Sequence, residues 1–241
     1  MAALVPVQER LTRLFARGSV VKICGLRDPE HAAVAAAAGA DLIGFIFAPA
    51  RRQVTAATAR SCIAAARAAA PDRNLFAVGV FVDAPASEIV RIAEEAGIDA
   101  IQLHGSEKPE SLQHLPAPVL KAFRPRPGIE AAHVVAEINR YRSSSMPPVG
   151  ILIDGYAEGV LGGTGAVADW GRAKEIGATF PFVLAGGLDP DNVGAAIREV
   201  RPLGVDVSSG VEIDGVKTAN RIEEFIRAAR KAFQDQTGHR C

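Results

Sequence analysis

From about residue 20 onward, short apolar runs alternate with alanine-rich amphipathic stretches. The apolar runs fall at residues 20–24, 41–47, 75–82, 99–104, 119–123, 149–154, 181–186 and 204–209. Segments with helical spacing lie between and after them, at 29–39, 55–70, 85–97, 107–114, 129–142, 169–177, 189–200 and 220–233. Short strands separated by helices imply parallel pairing, because a parallel connection needs a crossover. Eight such units in roughly 220 residues predict one α/β domain over residues 20–241, a (β/α)8 TIM barrel of parallel strands. An open doubly wound sheet fits less well. It usually carries a phosphate-binding glycine loop after its first strand, whereas here that loop reads CGLRDPE and the glycine clusters come late. Residues 1–19 precede the repeat. ERLTRLF within them has helical spacing and predicts an N-terminal helix that packs on the barrel and carries no chemistry.

Composition narrows the function classes. The 241 residues are 49% hydrophobic and 22% charged, as expected of a globular chain. Lys plus Arg and Asp plus Glu are 27 each, so the net charge is zero. That argues against a nucleic-acid or membrane-surface binder, which needs a positive bias, but leaves room for a local cationic pocket. Three widely spaced cysteines, Cys24, Cys62 and Cys241, suggest neither a disulfide framework nor a zinc site and favour a reducing, cytoplasmic setting. The five histidines lack ligand spacing, so no metal is expected. No apolar run is long enough to span a bilayer, and the N-terminus is charged too early for a secretory signal.

In a barrel of this kind, active sites lie at the C-terminal ends of the strands. AGGLDPDNV places Gly186 and Gly187 at the seventh strand end, and DVSSG places Ser208, Ser209 and Gly210 at the eighth. Glycines let backbone N–H groups approach a ligand, and helix N-termini favour anions. Each cluster alone could be a tight turn; together, at positions seven and eight, they predict a phosphate site. Cys24 ends the first strand, and strand alternation puts Lys22 on the same face. An ammonium there would lower the thiol pKa. Closure of the barrel makes the eighth strand neighbour the first, so Asp206 is expected to pair with Lys22, which would be costly to bury alone. Cys62, within a helix, reads as a small buried hydrophobe. Asp154 ends the sixth strand before the long loop GYAEGVLGGTG, so a simple helix cap is a poor explanation for it. A carboxyl at a mouth with restricted water can act as a general acid. His104 reads equally as a core histidine or a site group, and Arg51 and Arg52 as solvated charges.

VKICG, GFIFAP with RR-V after it, VGVFV, IQLHG, LIDG with GGTG and DW, LAGGLDPDNV, and VDVSSGVE with G-K after it occur in this order. Together they resemble the phosphoribosylanthranilate isomerase family of tryptophan biosynthesis over about residues 20–233. The resemblance implies an Amadori rearrangement of N-(5-phosphoribosyl)anthranilate to 1-(2-carboxyphenylamino)-1-deoxyribulose 5-phosphate, without a cofactor. It implies Cys24 as base and Asp154 as general acid. Arg52, Gln102, His104 and Asp206 fall on substrate-binding positions, with Arg51 open as an alternative because the loop is about one residue short. Gly186, Gly187, Ser208, Ser209 and Gly210 fall on the phosphate loops. The implied partner is a small phosphorylated substrate, for a monomer or homodimer, with no nucleic acid and no membrane. Two rivals are the aminoaldose isomerase of histidine biosynthesis, which would lean on paired carboxylates, and a non-catalytic barrel that binds phosphorylated ligands.

Overall fold

Each apolar run forms a strand and nearly every alanine-rich stretch a helix, because β-branched residues suit the pleat and alanine loses no side-chain entropy in a helix. The computed structural model describes residues 6–126, 128–155 and 170–238, with residues 237 and 238 described by backbone alone. The strands are β1 (Val20–Cys24), β2 (Leu42–Ile46), β3 (Phe76–Phe81), β4 (Ala100–Leu103), β5 (Val119–Phe123), β6 (Gly150–Asp154), β7 (Val183–Ala185) and β8 (Gly204–Val207). All pair in parallel, each with the next, and β8 closes on β1. The expected (β/α)8 barrel is therefore present.

The helices are α1 (Val7–Arg17), α2 (Pro29–Ala38), α3 (Ala56–Ala69), α4 (Ala86–Ala96), α5 (Ala131–Arg142), α6 (Trp170–Gly177), α7 (Val193–Val200) and α8 (Ala219–Gly238). Side chains cap several N-termini or the turns before them. The Asp28 carboxylate accepts the Glu30 N–H at 2.7 Å and the Thr55 hydroxyl accepts that of Thr58 at 3.1 Å.

Alternation along the strands divides the core in two. Val21, Ile23, Ile43, Phe45 and their equivalents face outward against the helices. Val20, Leu42, Phe76, Val78, Leu120, Leu152 and Val183 fill the barrel interior. These interior residues pack with Leu11, Leu14 and Phe15 of α1, which thus closes the N-terminal opening. Gly150 makes room for that closure: a Cβ there would lie 2.9 Å from the Phe15 ring. With the bottom sealed by apolar groups, the C-terminal mouth is left for polar chemistry.

Three local features differ from the expected pattern. The fourth crossover is a 3-10 turn, Pro109–His114, instead of an α-helix. Beneath it the buried Lys121 pairs with Glu107 at 3.0 Å and donates to the Gly105 carbonyl at 2.7 Å. The helix expected from residue 189 begins at Val193, because the Asp189 carboxylate takes the N–H groups of Asp191 and Asn192 into a preceding turn. A two-stranded hairpin follows β8, β9 (Glu212–Ile213) and β10 (Val216–Lys217). Asp214 and Gly215 between them both have positive φ, 51° and 80°, the backbone of a tight two-residue turn. Among the described residues, no helix is long and apolar enough to cross a membrane.

Candidate active site

The interior faces of β1 and β8 carry the first cluster. Lys22 is fully buried, and its Nζ lies 2.9 Å from Asp206 Oδ2 across the β1–β8 closure, where the two residues are register partners. The pair expected from alternation is present. Cys24, one alternation further up, is buried beside the Lys22 ammonium. Gly44 on β2 permits this crowding: a Cβ there would stand 2.8 Å from Cys24 Sγ and 3.1 Å from Lys22 Nζ.

Burial by itself would depress the Lys22 ammonium, but the adjacent carboxylate outweighs it and the pKa is raised. Burial also pushes the Asp206 carboxyl up against the pull of Lys22. At 2.9 Å the ionised pair is the state the geometry favours. The expected lowering of the Cys24 thiol does not occur. Burial pushes it up, Lys22 pulls it down by less, and Asp206 opposes that pull. The ammonium is shared with a carboxylate, so the free protein holds a neutral thiol.

The second cluster joins β4, β5 and β6. Gln102 Nε2 donates to His104 Nδ1 at 3.0 Å, and His104 Nε2 lies 3.1 Å from Asp154 Oδ2. With Nδ1 accepting, the ring proton sits on Nε2 and is donated to Asp154, so Gln102 sets the tautomer. Arg124, at the end of β5, stands 3.7 Å from the same carboxylate oxygen. Sequence reasoning passed over Arg124, although Leu120, Ala122 and Arg124 alternate inward. Most of the loop after Asp154, residues 156–165, lies outside the described residues.

The β7 and β8 loops meet at a third place. Gly186 and Gly187 have φ of 92° and 65°. A Cβ on Gly186 would lie 2.4 Å from the Gly155 nitrogen, and one on Gly210 1.9 Å from the Leu188 carbonyl. Glycine lets the β7 loop approach the end of β6 at Gly186 and the β8 loop approach the β7 loop at Gly210. Among the described residues, no backbone carbonyl accepts from the Gly186 or Gly187 N–H. Ser208 follows β8, and Ser209 begins a 3-10 turn, Ser209–Val211.

A fourth cluster ties the β2 loop to the hairpin. Arg52 is buried, and Glu212 accepts from its Nε at 2.5 Å and its Nη2 at 2.8 Å. Arg51 also reaches Glu212, at 2.7 Å, but its side chain is 53% exposed. The two arginines thus differ in placement: Arg52 is buried beside Gly25 at the end of β1, and Arg51 braces the hairpin. Lys217 Nζ donates to the Ser208 carbonyl at 3.0 Å and lies 3.5 Å from Glu212. Burial lowers the Lys217 pKa to about 8 against the pull of Glu212. Burial would raise Glu212, but Arg52 and Lys217 hold it down at about 2. Glu212 and Lys217 carried no role in the sequence reading, although both stand in the quoted VSSGVE and G-K motifs.

Buried polar atoms seldom lack a partner. Among the described residues, Trp170 Nε1 does, and so do Gln102 Oε1, Arg124 Nε, Asp206 Oδ1 and Ser208 Oγ. The latter four lie on these clusters, where a polar ligand would satisfy them. A cleft of about 480 Å³ beside the 3-10 turn, lined by Ile89, Leu103 and His114 among others, is elsewhere, outside the barrel wall.

A sealed barrel bottom, a mouth with separate thiol and carboxyl networks, and glycine–serine loops after β7 and β8 define a class, the phosphosugar-type barrel enzymes working by acid–base chemistry. Within that class, residues 21–228 match the family described as N-(5'phosphoribosyl)anthranilate (PRA) isomerase. The chain is 45% identical over 217 residues to an N-(5'-phosphoribosyl)anthranilate isomerase from Roseiflexus sp. (strain RS-1), covering 89% of this chain and 99% of that one. It resembles the crystal structure of phosphoribosyl anthranilate isomerase from Thermotoga maritima with a TM-score of 0.74 at 34% identity, over 88% of this chain and 98% of that one. A further solved structure, of this isomerase in complex with reduced 1-(o-carboxyphenylamino)-1-deoxyribulose 5-phosphate, aligns with a TM-score of 0.71 at 33% identity, over the same shares of the two chains. The chain belongs to the PRA isomerase family.

Proposed function

We propose that this protein isomerises N-(5-phosphoribosyl)anthranilate to 1-(2-carboxyphenylamino)-1-deoxyribulose 5-phosphate, the Amadori step of tryptophan biosynthesis, in the cytoplasm. One observation carries the roles: a thiol at the end of β1, beside Lys22, and a carboxyl at the end of β6, bonded to His104, belong to separate polar clusters at one mouth. Separate environments are what opposite protonation duties require.

Asp154, carrying its proton on Oδ1, the oxygen that His104 and Arg124 leave free, gives it to the furanose ring oxygen. The C1′–O bond breaks as the anthranilate nitrogen lone pair forms a Schiff base. Cys24, a neutral thiol in the free protein, gives up its proton to solvent as substrate binds; the thiolate then takes the C2′ proton, and the released electron pair makes the C1′–C2′ enolamine, which tautomerises to the ketone. Substrate nitrogen is the electron sink, so the step needs no added redox group. His104, held by Gln102, orients the Asp154 carboxyl. The ammonium of Lys22, tethered by Asp206, and the more distant one of Lys217 stabilise the thiolate as it forms, which offsets the burial that raises its pKa. The phosphate lies against Gly186, Gly187, Ser208, Ser209 and Gly210, and Arg52 binds the anthranilate carboxylate. Proton transfer by a positioned acid or base contributes about 10²–10⁴-fold. Purified protein should therefore extinguish anthranilate-type fluorescence as the phosphoribosyl adduct turns over. Cys24→Ser and Asp154→Asn should each cut turnover by roughly 10²-fold or more with modest change in KM. Unchanged rates in both variants would overturn the assignment and favour a non-catalytic barrel.

A further inference from the structure

The Arg52 guanidinium has five N–H groups in a planar fork, and a carboxylate can take two along one edge. Glu212 occupies the edge formed by Nε and Nη2. Among the described residues, Nη1 has no hydrogen-bond partner, so the edge formed by Nη1 and Nη2 is left for a second planar anion. Charge points the same way. Among the described residues, Glu212 is the one acid that Arg51, Arg52 and Lys217 share, so this group of four keeps two positive charges in excess. Burial of Arg52 and Lys217 means their charges are poorly screened by water.

Glu212 is itself held rigidly. Its side chain is 5% exposed, and it opens the short hairpin, where it is the register partner of Lys217. Arg51 fastens the far end by donating to the Gly215 carbonyl at 3.0 Å. Its Nη2 reaches the same Glu212 oxygen that accepts from Arg52. The hairpin is thus a clamp in which Glu212 fixes the plane of Arg52.

We propose that Glu212 is a positioning residue. It presents the open edge of Arg52 to the ortho-carboxylate of the aromatic amine and thereby sets selectivity for a carboxylated ring. This role rests on the isomerase function proposed for the site. It assigns the selectivity to a residue that touches no substrate, acting through one that does.

The test uses two ligands, the reduced product analogue carrying the ortho-carboxyl and its counterpart with an unsubstituted phenyl ring. Dissociation constants are measured for the wild-type protein, Glu212→Ala and Glu212→Gln. Wild type should prefer the carboxylated ligand by roughly 10–100-fold, the range of one charge-assisted pair. In Glu212→Ala the preference should fall to a few-fold, while the phenyl ligand binds as before. Glu212→Gln, which keeps the shape and one acceptor, should lie between. KM for the carboxylated substrate should rise without a matching fall in kcat. Thermal melting checks that each variant folds; if the alanine variant does not, the glutamine variant carries the comparison. An undiminished preference, or equal weakening of both ligands, would overturn the positioning role. Failure of the wild-type protein to isomerise the anthranilate substrate would instead overturn the isomerase function on which that role rests.

Discussion

Breaking the Lys22–Asp206 pair should expose how strongly the barrel interior depends on it. The two side chains are 0% and 8% exposed and 2.9 Å apart. Lys22→Met keeps the length of the side chain but leaves a buried carboxylate without its cation. Removing one partner of a buried pair costs about 3–5 kcal/mol, because the remaining charge is uncompensated. Asp206→Asn leaves the ammonium in the same position and should cost a similar amount. In the double variant neither charge remains, so the loss should fall short of the sum of the singles by roughly 2–3 kcal/mol. The sign with pH follows from Asp206. Without Lys22, burial holds its folded pKa above the unfolded value near 3.9. The unfolded chain then binds fewer protons than the folded one above that pH, so the penalty of Lys22→Met should grow as pH rises from 5 to 8. Urea unfolding of the four proteins at both pH values measures this. Strictly additive losses, or a penalty larger at pH 5, would refute the reasoning.

Gly210→Ala should raise KM, because its Cβ would stand 1.9 Å from the Leu188 carbonyl and push apart the β7 and β8 loops proposed to hold the phosphate; steady-state kinetics read the change. Phe15→Ala should lower stability by about 3–5 kcal/mol in urea unfolding while kcat hardly moves, since α1 seals the end of the barrel opposite the mouth. Glu212, held at about 2 in the folded protein against an ordinary 4.5, contributes stability that is present above pH 4.5 and lost as pH falls toward 2. Unfolding free energy should fall more steeply in that window for the wild-type protein than for Glu212→Gln.

Periodicity made the barrel legible before any coordinates. Strands buried on both faces read as continuous apolar runs bounded by helices, and eight of them closing leaves little choice of topology. Alternation also foretold the Lys22–Asp206 pair, since closure makes β1 and β8 neighbours. The thiol was harder. Proximity of a lysine suggests a lowered pKa, but the extent of burial and a competing carboxylate are three-dimensional facts, and they reverse the direction. The start of α7 was misplaced because Asp189 can cap either a helix or the turn before one, and here it forms the turn. The hairpin after β8 is two residues per strand, too short for any period to register. Its role in bracing Arg52 depends on contacts across about 160 positions of sequence, which a local pattern does not carry.

The division of labour between Cys24 and Asp154 is tested most directly by substrate deuterated at C2′ in single-turnover measurements. If Cys24 removes that proton as proposed, wild-type turnover should slow on deuteration. Asp154→Asn should slow ring opening until it limits the reaction, and the isotope effect should then shrink while turnover falls. An isotope effect undiminished in Asp154→Asn, or full turnover by Cys24→Ala, would contradict the assignment.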